Sequence, residues 1–241
     1  MNNRRYMKTG LILGLIAALA IPAAYADSIT INSSSAVTFL PNGTSTSTDF
    51  SSPFTAANFI SAQTGTNSAV LTTTPFYTTS ATLTGAGAQW IGTSAGGGNG
   101  SSADFTALYA ISFDIPDAFV SGSLSLNFEV DNVLGDLNQG IYLNGTALPG
   151  STNNTGCSGN CFLSLQNYTD SSVTADLVQG TNWLYIDGVN LGAEGGLIFS
   201  ATISTVNSTG STTPEPSTYG LMLIGVGLLV LMRKRLVVQF R

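Results

Sequence analysis

Ser123-Leu-Ser-Leu-Asn-Phe-Glu-Val130 decides the fold class. Leu124, Leu126, Phe128 and Val130 alternate with Ser123, Ser125, Asn127 and Glu129. Strict period two marks a strand with one face in a core and the other toward water. Upstream, Tyr109, Ile111, Phe113 and Ile115 alternate with Ala110, Ser112 and Asp114 until Pro116 stops the ladder. Downstream, Ile141-Tyr142-Leu143 and Thr146-Ala147-Leu148 flank Asn144-Gly145, a dipeptide whose turn matches strand twist. Residues 182–187 and 196–204 complete the firm set, the latter placing Leu197, Phe199, Ala201 and Ile203 on one face. Residues 28–32 and 36–40 read as opening strands and 78–84 as a further alternating segment. Residues 41–67 read as Ser/Thr-rich loops and edge strands, 94–102 as a Gly/Ser loop, and 169–177 as a short helical turn or a strand. Many short strands separated by Gly/Asn turns predict an all-β chain, an antiparallel β-sandwich or jelly roll spanning residues 27–206.

The two ends read differently. Arg4, Arg5 and Lys8 precede an apolar stretch, residues 10–21, and Ala24-Tyr25-Ala26 supplies a small-residue cleavage site. Residues 1–26 are therefore expected to be a secretory signal peptide, helical in its apolar part, with cleavage leaving Asp27 first. The Arg4-Arg5 pair also suits twin-arginine export, although Lys8 interrupts the apolar residues that should follow. At the other end, a polar linker (207–213) leads to Pro214-Glu215-Pro216, an apolar run (219–232) and Arg233-Lys234-Arg235. Fourteen residues of helix rise about 21 Å against a hydrocarbon core of roughly 30 Å. The run predicts a short transmembrane helix, and its basic stop keeps Arg233 to Arg235 on the cytoplasmic side.

All seven Lys and Arg residues lie in these terminal segments, Arg241 included. Residues 27–213 carry twelve of the thirteen acids, no Lys or Arg, and the chain has no His. A base-free domain offers phosphates nothing to neutralise them, so nucleic acid is excluded as a partner. It cannot form internal salt bridges and must rest on apolar burial and hydrogen bonds. Divalent cations and neutral sugars remain as natural partners. Without His the Ser-His and Cys-His nucleophile pairs are lost, and no cofactor other than calcium suggests itself. Cys157 and Cys161 are too few for a metal site and, in an oxidising compartment, are expected to pair as a local disulfide.

Pro214-Glu215-Pro216, the Gly- and Leu-rich run and Arg233-Lys234-Arg235 together resemble the PEP-CTERM sorting signal of Gram-negative bacteria. The resemblance covers residues 214–241. To the export machinery and signal peptidase expected from residues 1–26, it adds an exosortase-like membrane protease that cuts near Pro214. It also implies delivery to the cell surface or an exopolysaccharide matrix, often in a biofilm. Leu236 to Arg241 extend past the basic cluster, where the family stops sooner; an ordinary tail anchor is the alternative. Trp90-Ile91, Phe128-Glu129-Val130-Asp131-Asn132, Ile141-Tyr142-Leu143-Asn144-Gly145-Thr146 and Gly196-Leu197-Ile198-Phe199 are similar, more loosely, to galactose-binding-like jelly rolls. That fold serves both carbohydrate-binding modules and purely structural domains.

Candidate sites follow from side-chain chemistry. Trp90, Tyr142, Trp183 and Tyr185 have the apolar faces and polar tips that stack on sugar rings. Trp183 and Tyr185 share one strand face and Leu184 and Ile186 the other, so core packing of the aliphatic pair would expose the aromatics; Trp183 as a core plug is the alternative. Asp131, Asn132, Asp136 and Asn138 offer closely spaced oxygens for Ca2+, and equally suit turns. Glu129 and Asp131 are the nearest approach to a catalytic carboxylate pair, on one strand face. The expected function is non-enzymatic: an exopolysaccharide-associated module, a ligand-free structural spacer, or, third, a glycoside-active enzyme.

Overall fold

The computed structural model describes residues 26–42, 49–51, 53–65, 67–72, 79–94, 106–152, 161–191, 195–208, 222 and 224–226. Residues 1–25, most of the sorting tail and Cys157 lie outside the described residues, so the signal and transmembrane helices are not seen as such. Met222, Ile224, Gly225 and Val226 are helical and exposed. Among the described residues, no helix is long and apolar enough to cross a membrane. Residues 26–207 form one compact unit.

Two antiparallel sheets make a sandwich. The first is built around β6 (Phe119–Asp131) and β12 (Gly196–Asn207), the longest strands. β6 pairs on its other side with β10 (Gln166–Asp170). β12 pairs on its other side with β1 (Ala26–Asn32) and with β4 (Ile91–Gly92), which joins β3 (Val70–Leu71). The second runs β2 (Thr38–Pro41), β5 (Ala107–Ile115), β11 (Gly180–Val189), β8 (Ile141–Leu143), β9 (Thr146–Ala147), with β7 (Val133–Leu134) also on β11. The antiparallel sandwich expected from the alternation is therefore present. Asn144 and Gly145 both take positive φ, at 51° and 87°, as the primed turn between β8 and β9 requires.

The alternating residues meet between the sheets. Leu124, Leu126, Phe128 and Val130 of β6 and Leu197, Phe199, Ala201 and Ile203 of β12 face Phe113, Ile115, Leu184, Ile186 and Ile141 across one core. Burying each large aliphatic side chain stabilises by about 1.5–3 kcal/mol, which must carry a domain without ion pairs.

Two outer layers correct the expectation for the weakly patterned segments. α1 (Ala56–Thr64) lies where residues 41–67 were expected to be loops and edge strands. A capping box starts it: Asn58 N–H donates to Thr55 Oγ1, and the Thr55 N–H to Asn58 Oδ1. With Phe50 and Phe54, its Phe59 and Ala62 cover the outer face of the β5–β11 sheet. α2 (Ala81–Gly85) replaces the strand expected at 78–84 and packs Leu83 against Trp90 and Ile198, outside the other sheet. Local propensity lost to tertiary packing in both places, because a sheet with apolar residues on both faces needs a cover. Residues 169–177 resolve into both alternatives: the end of β10, then a 3-10 turn, Val173–Asp176.

Candidate functional site

The four aromatics divide by burial. Leu184 and Ile186 do face the main core, yet Tyr185 on the opposite face is only 1 % exposed. Phe59 of α1 lies 4.8 Å from its ring, and the Gln63 amide donates to its hydroxyl. Tyr142 sits under Phe54, edge-on at 5.4 Å, and Trp90 is buried with its Nε1 donating to Thr79 Oγ1 at 2.8 Å. Tyr142, Tyr185 and Trp90 are thus not available as a stacking platform, a correction that follows from the α1 and α2 covers. Trp183 is half-buried, 6.4 Å from Tyr185 and near parallel to it.

The four oxygen-bearing residues at and beyond the end of β6 have separate tasks. Asp131 is buried opposite Gly196, and Asn132 Oδ1 accepts the Leu191 N–H at 2.7 Å. Asn138 is buried and its Nδ2 donates to the Phe50 carbonyl at 3.1 Å, while Asp136 is exposed. Cys161 is buried and disulfide-bonded. Glu129, 1 % exposed, accepts the Ser80 N–H through Oε1 at the start of α2; burial pushes its carboxyl up and that hydrogen bond opposes the shift. Among the described residues no three His, Cys, Asp or Glu side chains group as a metal cluster.

The loop after β7 instead closes on a carboxylate that sequence reasoning missed. Asp49 Oδ2 accepts the N–H groups of Asp136, Leu137 and Asn138 at 3.1, 2.5 and 3.2 Å. Facing it is Asp187 of β11, fully buried, with no donor to either carboxylate oxygen among the described residues. Burial first, then the nearby Asp49 and Asp136 carboxylates, holds the Asp187 carboxyl well above the usual range. Burial and the same Asp187 and Asp49 charges raise the Tyr142 phenol. Asp187 in Tyr185-Ile-Asp-Gly-Val189 carried one legible signal, an acid inside an apolar strand; Asp49, in a Ser/Thr-rich segment, carried none.

Beyond the stretch that α2 covers at Ile198, the outer face of the β1–β12–β6–β10 sheet is polar. Because Ile29, Ile203, Leu124 and Tyr168 point inward, their neighbours point outward in register. Thr30, Thr202, Ser125 and Thr169 form one row across four strands, and Asn32, Ser200, Asn127 and Asn167 another. Asn167 Nδ2 donates to Asn127 Oδ1 at 3.0 Å, linking amides between strands. A shallow cavity of about 270 Å³ lies on this face, lined by Ser123, Ser125, Thr169, Asp170, Thr202 and Ser204 among others. Ser172 donates its N–H and hydroxyl to Asp170 Oδ1, at 2.8 and 2.7 Å, which lowers the Asp170 carboxyl. Such a surface offers many neutral groups that both donate and accept hydrogen bonds.

The PEP-CTERM protein-sorting motif matches residues 212–235, in agreement with the resemblance read from Pro214 to Arg235. The motif marks an exported protein with a C-terminal sorting signal of the exosortase-processed kind. No curated protein matches the chain. Solved structures similar to it include CBM35 from Paenibacillus barcinonensis, at 14% identity and TM-score 0.33, covering 73% of this chain and 97% of that one. Another is the native family 35 carbohydrate binding module from Clostridium thermocellum, at 10% identity and TM-score 0.34, covering 72% and 97%.

Proposed function

We propose that this chain is delivered to the cell surface or extracellular matrix and there contacts exopolysaccharide, without catalysis, through the hydroxyl- and amide-bearing face of the β1–β12–β6–β10 sheet. The observation that carries this reading is the in-register array of Thr30, Thr202, Ser125 and Thr169 beside the Ser- and Thr-lined cavity. A polyhydroxylated chain presents the complementary mixture of donors and acceptors at repeating intervals. Each such contact is worth about 0.5–1.5 kcal/mol net, so affinity would come from many of them along the polymer. The absence of Lys and Arg from residues 27–213 favours a neutral polysaccharide over an acidic one.

The test is retention of the mature protein on the producer's own purified exopolysaccharide, compared with Ser125→Glu and Thr202→Glu variants. Both side chains point outward, so the fold is kept while bulk and charge enter the face. Loss of retention in both variants is the expected result; retention equal to the unaltered protein sinks the proposal. Burial of Tyr142, Tyr185 and Trp90 favours one second reading, a structural spacer with no ligand. In that case neither the protein nor its variants are retained. Hydrolysis of the same material tests the enzymatic alternative.

A further inference from the structure

Asp187 poses a problem that the domain cannot solve with its own side chains. Its backbone is fixed on both sides: its N–H donates to the Gly140 carbonyl and its carbonyl accepts the Gly135 N–H, each at 2.9 Å. Its side chain leaves β11 on the Tyr185 face, away from the main core, and is fully buried, with no donor to either oxygen among the described residues. An ionised carboxylate in that position needs a counter-charge. No Lys, Arg or His exists between residues 26 and 207 to provide one. What faces Asp187 is a second carboxylate, Asp49, within hydrogen-bonding reach, with Asp136 adding a third negative charge nearby.

Asp49 is held in place by its own contacts: three backbone N–H groups converge on Oδ2, and the Phe50 N–H donates to Oδ1 at 2.6 Å. The surrounding loop is tightly closed. A Cβ on Gly135 would lie 2.5 Å from the Asn138 carbonyl oxygen, and one on Gly140 2.4 Å from that of Ser151. Glycine at both positions thus lets the loop of residues 135–140 close tightly beside the two carboxylates. Either a proton or a cation from solution must sit between them.

We propose that Asp187 and Asp49 are the anionic ligands of a buried divalent-cation site, with calcium as the occupant. The donors are hard oxygens, the class calcium takes, and the Tyr142 phenol stands close enough to feel both carboxylates. With two carboxylates as the direct anions, the other positions fall to neutral oxygens and water. Low ligand charge places the affinity with the weak sites of extracellular modules, a Kd of roughly 0.1–1 mM. The proposal is independent of the polysaccharide reading, since the site lies under the Phe50 and α1 cover of the other sheet.

The experiment is thermal melting of the mature protein, stripped with EDTA and then titrated with calcium or magnesium, beside Asp187→Asn. The expected result is a Tm that rises with calcium, half-maximally at roughly 0.1–1 mM, and more weakly with magnesium. In Asp187→Asn the new amide donates to the Asp49 carboxylate, so the variant folds without metal and its Tm ignores calcium. A wild-type Tm indifferent to calcium overturns the proposal and leaves a shared proton as the neutraliser. A calcium response equal to wild type in Asp187→Asn also overturns it, because the ion then binds elsewhere. Should the variant fail to fold, terbium emission sensitised by Tyr142 in the wild-type protein decides: calcium-competable emission supports the site, and none refutes it.

Discussion

Asn144 and Asn182 hold one end of the β5–β11 sheet together. Asn144 Nδ2 donates to Asn182 Oδ1 at 2.8 Å, and Asn144 Oδ1 accepts the Trp183 N–H at 2.8 Å. Asn182 is fully buried and spends its amide on the carbonyls of Val178 and Gly180, while its oxygen also accepts the Val178 N–H. Asn182→Ala leaves those backbone groups without partners. The expected cost is about 2–3 kcal/mol, or roughly 4–12 °C in Tm, measured by thermal denaturation. A change under about 1 °C would mean that water substitutes for the amide.

Tyr185 and Trp183 should respond differently to truncation. Tyr185→Ala opens a cavity beneath α1 and is expected to cost about 3–5 kcal/mol. Trp183→Ala removes a half-buried side chain at the edge of that cluster and should cost less. If polysaccharide retention nevertheless falls with Trp183→Ala while the melting curve stays cooperative, the binding face lies on the β11 side, against the assignment made above.

The metal-free domain should be more stable in mild acid than at neutral pH. Burial raises the carboxyls of Asp187 and Glu129, so the folded state keeps protons that the unfolded chain releases from about pH 4 upward. Stability from these two groups is therefore full below about pH 4 and declines as pH rises toward their folded values. Asp170, lowered by Ser172, acts oppositely, but its contribution is lost only as pH falls below the ordinary carboxylate range. In EDTA, Tm is expected to fall as pH rises from about 4 toward neutral. A rise over that interval contradicts the assignment, and Asp187→Asn should flatten the curve.

Trypsin should leave the mature domain whole even in denaturant, because residues 27–213 contain no Lys or Arg. Mass spectrometry of the digest checks this together with the cleavage position near Pro214. A C-terminus close to Pro216 marks processing, and a tryptic peptide that runs on to Arg233 marks a simple anchor.

The sandwich was legible in Leu124 to Val130 because period-two alternation over a long strand leaves one arrangement for its side chains. The outer layers were not. α1 is nine residues long, starts from a Thr55–Asn58 box in place of the usual Glu or Gln, and buries little beyond Phe59 and Ala62. Once α1 is missed, the outward face of β11 looks solvent-exposed, and Tyr185 and Tyr142 look like sugar-stacking aromatics. The direction of Leu184 and Ile186 was readable, whereas what covers the opposite face is a long-range fact. Asp49 and Asp187 meet only through that same cover, so neither residue's surroundings carried the pairing.

β12 is the last strand of the domain and also the strand that β6, β1 and β4 all need as a neighbour. A chain that crosses a membrane from its amino end therefore arrives with one sheet lacking its middle. β1, the first segment out, has no partner until residues 200–206 follow it. Assembly of that sheet is postponed to the end of transit, when only the residues after Asn207 remain behind. The order of strands thus leaves the central pairings of that sheet, β12 with β6, β1 and β4, for the last segment of the domain to complete.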